Sequence, residues 1–336
     1  MADVRQESKA SVIILRNVAR RVYTHENAVL LSILLGMIGV LAITTNGVSI
    51  SLGNIQTVLL QSSMRGIASV GQGFALLSAH FDLSVGGLAT MLTLLGASLM
   101  TDIPRHSLLG HPVGPGLGIL AMLLAALGVG SVNGLSVSRL RMPALIVTLC
   151  MWQITNGIAY QIGLGRSIAG LPDSMAFFGQ GQIAGIPVPI VMFVVVASAG
   201  YFVLNYTSFG RSVYAVGGNP VSAHLSGIKV RNVIFMVFVI CGFLTGLSSI
   251  IILSRGMAAS MLVAVGFELD TIAACVVGGI SLFGGRGTLV GILIGVLIIG
   301  FLNNGMNIMG VPPPVQEVVK GSIIIGAVAS DTLRRR

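Results

Sequence analysis

Long apolar runs separated by short polar links make up almost the whole chain. They lie near 28–46, 55–78, 86–101, 116–138, 143–163, 187–206, 232–254, 268–283, 288–303 and 312–330. Most come close to the roughly 20 residues an α-helix needs to cross the hydrocarbon core of a bilayer. The pattern predicts an all-α, polytopic membrane protein of about ten transmembrane helices. The runs at 86–101 and 268–283 are short and glycine-rich, which predicts tilted or broken segments there. Residues 1–27 form a polar N-terminal segment without a convincing cleavage site, so they read as cytoplasmic rather than as a removed signal. Residues 28–330 form the membrane domain, and 331–336 a basic tail.

Composition excludes the soluble class. Apolar residues make up 54% of the chain and charged ones 9%, against roughly 25% charged in an ordinary soluble domain. So few charges could not cover a water-exposed surface. The 45 glycines suit helices that pack closely in lipid, where small residues let backbones approach. Cys150, Cys241 and Cys275 fall in separate apolar runs and read as buried small hydrophobes, not as metal ligands or disulfide partners.

The net charge of +9 is explained by where the cations sit. With a cytoplasmic N-terminus and alternating spans, the inner side holds Arg5, Lys9, Arg16, Arg20, Arg21, Arg139, Arg141, Arg211, Lys229, Arg231, Arg286 and Arg334 to Arg336. The outer side holds Arg105, Arg166 and Arg255, while Arg65 and Lys320 lie within spans. This asymmetry follows the positive-inside rule. It predicts that both termini are cytoplasmic and requires no nucleic acid. An offset of 171 residues superimposes Gly116 on Gly287, Asn133 on Asn304, Gly134 on Gly305 and Pro143 on Pro314. With five spans in each half, the second copy must run opposite to the first. That is an inverted five-helix repeat, an arrangement that places a transport pathway near the midplane between the halves.

The longest cytoplasmic link, 207–231, carries its own helix signal. Asn219 followed by Pro220 reads as an N-cap with proline at the first helical position. Val221, Leu225 and Ile228 recur on one helical face, Ser222, His224 and Ser226 lie opposite, and Gly227 is a natural stop. A helix of two turns cannot stand alone, so it must dock on lipid or on a cytoplasmic partner.

The run Gly218–Val230, GNPVSAHLSGIKV, resembles the coupling-helix region of permease subunits of ribose-, xylose- and arabinose-type ABC importers. The stretches FDLSVGG (81–87), NGLSVSRLRMPALIVTL (133–149) and FELDTIAACVVGGISLFGGRGTLVGILIG (267–295) are similar to the same family, in order, from about Gly53 to Ser330. This resemblance implies a type II-like, homodimeric pathway for a monosaccharide. It also implies an extracytoplasmic sugar-binding protein that delivers the sugar and a cytoplasmic ABC ATPase that binds ATP and Mg. Asn219, Pro220, Ala223, Leu225, Ser226, Gly227 and Ile228 then become the ATPase-coupling residues. The chain has no catalytic residues and no cofactor of its own. Its three lysines, Lys9, Lys229 and Lys320, do not stand in a phosphate-binding GxxxxGK[ST] loop.

Charges in or near spans are expensive and functional or paired. Asp82, with Ser84 behind it, reads as an acidic cap of the third span or as a gate. Glu268 and Asp270, on the outer side, read as caps of the eighth span or as contacts for the binding protein. Arg286 lies in a glycine-rich reversal, Gly278 to Gly287, which has no strand before it and so does not read as a phosphate loop. Gln153, Asn156 and Gln161, with Asn303, Asn304 and Asn307, are candidates to line a wet path or to bond helix to helix. The sequence departs from the family at His80 and Phe81, where Gly and Ile are more usual, and at Arg65, where a small residue is usual. Arg65 must face the pathway or a carboxylate, and the departure suggests an unusual substrate. Two other readings stand beside the importer: an ion-coupled carrier using Asp82, Glu268 or Asp270, and a membrane anchor.

Overall fold

The computed structural model describes residues 25–333, and helices occupy all ten apolar segments. They are α1 (His25–Thr44), α2 (Leu52–Leu77), α3 (Val85–Met100), α4 (Pro115–Ser138), α5 (Ala144–Gly163) and α6 (Val188–Tyr206). After them come α7 (Ser208–Gly218), α8 (Pro220–Leu225), α9 (Val230–Gly256), α10 (Phe267–Val277), α11 (Leu289–Ile308) and α12 (Pro313–Leu333). A two-residue hairpin, Gln182–Ile183 with Ile186–Pro187, decorates the link before α6. The predicted N-terminal segment and basic tail lie outside the described residues except at their inner edges. Helices α1, α4, α6, α9 and α11 are long and apolar enough to cross a membrane by themselves. The α2 sequence is interrupted by Asn54, Gln56, Gln61, Arg65 and Gln72; of these, Asn54 bonds Asn304 of α11 and Arg65 bonds Asp270 of α10.

Packing reproduces the repeat. In the first half α3 packs on α4 and α5 and crosses onto α9; in the second half α10 packs on α11 and α12 and crosses onto α2. Helix α4 lies along α9 as α11 lies along α2, and α2 and α9 pack on each other at the centre. Exchanging the halves maps these contacts onto one another, as an inverted repeat requires. The largest buried cluster joins α2, α6, α7, α9, α10 and α11 through Ile67, Phe74, Val213, Val237, Cys275 and Ile292.

The two glycine-rich segments are short. At 1.5 Å per residue, α3 is about 24 Å long and α10 about 16 Å. The eighth span, expected over 268–283, stops at Val277 and gives way to a reversal through Gly278 to Thr288. Gly284, Gly285 and Gly287 hold positive φ there, and the Gly285 N–H donates to the Leu77 carbonyl at 2.9 Å. Arg286 is exposed at this turn. The link 207–231 holds two helices where one was expected, and the second is shorter than its sequence suggests. Helix α8 ends at Leu225, so Ile228 follows the helix instead of sharing its face.

Candidate functional site

The N-termini of α3 and α10 enter the protein from opposite sides and meet in its interior. The Phe81 carbonyl accepts a bond from Thr148 Oγ1, in the second turn of α5, at 3.4 Å. Ser84 Oγ accepts from Asn133 Nδ2 of α4 at 3.0 Å. One turn further, Gly86 meets α10: a Cβ there would collide with Glu268 Oε2 and come within 3.3 Å of the Ala264 carbonyl. Glycine at position 86 therefore leaves the Glu268 carboxylate its place, and a larger residue would displace that side chain. Val85, Ala89, Ala264 and Phe267 share one buried cluster with Ala68 of α2 and Cys241 of α9. Two broken helices thus aim their positive dipole ends at a common interior region.

Each end carries acidic chemistry, and the two differ. Asp82 is buried; its Oδ1 accepts from the Ser84 backbone N–H at 3.0 Å and from the Ser84 hydroxyl. The Cys241 thiol is hydrogen-bonded beside it and also lies near Gln72 Oε1. Gln72 Nε2 and Asn133 Oδ1, both buried, have no protein partner among the described residues. The α10 end is ionic. Asp270 is buried, with Oδ2 accepting from Arg65 Nε of α2 at 2.8 Å and Oδ1 from Lys320 Nζ of α12 at 2.9 Å. Lys320 also pairs with Glu317 Oε1 at 2.6 Å. Arg65 lies 13 residues into the 26-residue α2, about 20 Å from its N-terminal end, so this network sits midway along the span.

Glu268 and Asp270, expected as caps of the eighth span or as contacts for the binding protein, both belong to the first turn of α10, whose N-cap is Gly266. Glu268 lies against Gly86, and Asp270 bonds two cations instead of capping backbone N–H groups. Arg65 finds a carboxylate, one of the two environments expected for it; its side chain remains 29% exposed. A signal for the pairing was present in the sequence. Phe81-Asp82-Leu83-Ser84 and Phe267-Glu268-Leu269-Asp270 are the same four-residue pattern at the same place in each half.

The polar residues proposed as one lining are not brought together. Asn304 is buried and forms a reciprocal amide pair with Asn54 of α2, at 2.8 and 2.9 Å. Asn307 accepts from Gln316 Nε2 of α12 at 2.8 Å. Asn303 is buried, and neither amide atom has a partner among the described residues. On α5, Val147, Met151, Thr155 and Ala159 pack inward, while Gln153 and Gln161 stand on the uncovered face. Asn156 is half-buried and donates to the Trp152 carbonyl at 3.0 Å. Cys150 shares the uncovered face and corrects the expectation of three buried thiols; Cys241 and Cys275 are buried. Among the described residues no group of three His, Cys, Asp or Glu could hold a metal ion.

In the link after α6, α7 is capped by Thr207, which accepts from the Gly210 N–H at 3.2 Å. Gly217 of α7 seats against the Leu77 carbonyl and Gly285, where a Cβ would not fit. The Asn219 side chain then accepts from the N–H groups of Val221 and Ser222 at 2.9 and 3.0 Å, fixing the start of α8. Ala223 is buried, and Gly227 ends the segment at φ +85°. The remaining apolar residues of α8 are bare: Val221 is 67% exposed and Leu225 82%. His80, in the link between α2 and α3, bonds Ser78 and sits edge-on to Phe238; burial depresses its pKa below the ordinary value.

The family model described as branched-chain amino acid transport system / permease component matches residues 54–328. The chain is 36% identical over 289 residues to the ribose import permease protein of Escherichia coli strain K12, covering 85% of this chain and 87% of that protein. It is 37% identical over 281 residues to the D-allose transport system permease protein of the same strain, covering 83% of each. It is 36% identical over 282 residues to the L-arabinose ABC transporter permease protein of Azospirillum brasilense, covering 84% of this chain and 80% of that one. No solved structure matches the chain significantly. The chain belongs to that family of transport-system permease components and is a multi-pass membrane permease of the ABC transporter kind.

Proposed function

We propose that the chain forms the translocation pathway of a monosaccharide importer driven by a separate cytoplasmic ATPase. The observation that carries this reading is α8. A six-residue helix with Val221 and Leu225 facing water is costly unless another protein covers it, since burying such side chains is worth about 1.5–3 kcal/mol each. It is held rigidly by the Asn219 cap, the buried Ala223 and the stacked glycines of α7 and the 278–288 turn. A push on α8 therefore passes through Gly217 and Gly285 to the inner ends of α2 and α11. The monosaccharide class comes from the relatives, whose names specify ribose, allose and arabinose.

In this reading 207–231 faces the cytoplasm and both termini lie inside. Two copies pair around the pathway, and an extracytoplasmic binding protein delivers the sugar. ATP and Mg act only on the ATPase. The meeting point of α3 and α10 is the moving part, because two short helices can shift without breaking a continuous span. The partnerless amides of Gln72, Asn133 and Asn303 are groups that a passing sugar hydroxyl could satisfy briefly. Asp270 cannot serve an ion-driven carrier as a free carboxylate, because both of its oxygens are already held by cations. The test is Leu225→Asp. It should leave folding unchanged, because the residue packs on little, and should abolish ATP-dependent uptake while the ATPase still turns over. Full coupled uptake by that variant would overturn the docking assignment.

A further inference from the structure

A cavity of about 1200 Å³ opens beside α8 and carries a charge that the transport reading does not use. Its walls come from the inner ends of α4, α5 and α9, from α8, and from the link before α3. Arg139, Arg141, Lys229 and Arg231 line it together with His80 and His224, and among the described residues no carboxylate does. Of the four permanent cations only Arg139 has a side-chain hydrogen-bond partner among the described residues, Asn232 Oδ1 at 3.1 Å. Arg141 also holds a left-handed backbone, φ 59°, at the start of the turn into α5. Four like charges around one open space repel one another, a cost that an anion would relieve.

We propose that this cavity binds the phosphate headgroup of an anionic phospholipid from the adjacent leaflet. Two observations favour a lipid over a soluble phosphate. Met142, Pro143, Leu145 and Val221 give the cavity an apolar wall. From Leu145 an uncovered stripe, Ile146 and Leu149, continues up α5 and gives an acyl chain a path out of the cavity. Basic pockets between helix ends on the cytoplasmic side recognise anionic headgroups by this chemistry. Because Pro220, Val221 and His224 of α8 form one wall, the headgroup lies beside the same helix as the proposed ATPase and shares Val221 with it, while Leu225 is left to the ATPase alone. The inner-leaflet location rests on the orientation proposed above; binding in vesicles of symmetric composition does not, so the two can fail separately.

Trp152, the chain's one tryptophan, lies seven residues beyond Leu145 on α5, about 10 Å along the helix. The full-length chain is reconstituted in phosphatidylcholine vesicles containing, at equal fraction, either acyl-brominated phosphatidylglycerol or acyl-brominated phosphatidylcholine. Stronger quenching of Trp152 by the brominated phosphatidylglycerol is expected. That preference should fall about fivefold for each charge removed in Arg141→Gln and Arg231→Gln, persist in Arg211→Gln outside the cavity, and weaken in the wild type as salt rises. Equal quenching by the two lipids overturns the proposal, as does a preference unchanged by both cavity substitutions. Loss of the preference on adding inorganic phosphate at constant ionic strength assigns the cavity to a soluble anion, and its loss on adding the ATPase assigns it to protein; either result also overturns the proposal.

Discussion

Asp270→Asn removes the one carboxylate that bonds both in-span cations while keeping the shape of the side chain. It leaves Lys320 buried with only the half-exposed Glu317, and Arg65 without an ionic partner. Breaking a buried ion pair by deleting one member costs about 3–5 kcal/mol, and an unpaired cation at a helix centre costs about 2.5–3.5 kcal/mol on insertion scales. A loss near 3 kcal/mol corresponds to a fall in midpoint temperature on the order of 10 °C for a chain of this size. The readout is labelling of the buried Cys241 and Cys275 thiols by a fluorogenic maleimide during heating, in a Cys150→Ser background that removes the exposed thiol. Arg65→Gln should cost much less, because Lys320 still holds Asp270 and Arg65 keeps partial access to water. The double variant Asp270→Asn/Lys320→Met should recover part of the loss, since it leaves no buried unpaired ammonium. An Asp270→Asn protein that melts with the wild type, or a double variant whose loss equals the sum of the singles, would refute the reasoning.

Gly86→Ala should lower folded yield and uptake, because the new Cβ meets the Glu268 carboxylate; Glu268→Ser in the same chain should restore part of both in a detergent-solubility and uptake assay. Asn304→Ala should lower the midpoint by breaking the Asn54 pair, a loss of about 1 kcal/mol, while substrate preference in competition uptake stays the same. His80 has a folded pKa below its unfolded value of 6.5, because burial disfavours the charged ring. The unfolded chain then binds more protons, so stability is complete above pH 6.5 and falls as the pH drops toward the folded pKa. Thermal melts of His80→Gln across that range should lack this share of the slope.

Hydropathy located every helix that reaches across the membrane, because lipid demands long apolar runs and the links between them are short. It could not report depth. A carboxylate just before an apolar run looks the same at the surface as at the bottom of a broken helix, so the depth of Asp82, Glu268 and Asp270 was not legible, although Asp82, read as a cap or a gate, does bond the Ser84 N–H. The repeated Phe-acid-Leu-polar pattern and the need to neutralise Arg65 and Lys320 were the clues to that depth. Helix α7 was illegible for a different reason: SFGRSVYAVGG has five glycines and serines where propensity favours a loop, and packing on α2 and α9 overrides it. The α8 cap at Asn219 was plain, but its short length was not, because Gly227 and Ile228 continued the spacing past the true end. The wet-path candidates shared polarity, a property that does not say which residues face one another; Asn304 turned to Asn54 and Gln153 to an open face.

In the proposed mechanism the chain has no energy source of its own and moves solute only when a nucleotide-hydrolysing protein acts on α8. Uptake of labelled ribose, allose and arabinose into proteoliposomes holding this chain alone, under an imposed proton or sodium gradient, tests it most directly. No accumulation above sugar-free equilibrium is predicted until the ATPase, ATP and binding protein are added. Gradient-driven accumulation by the chain alone would contradict it.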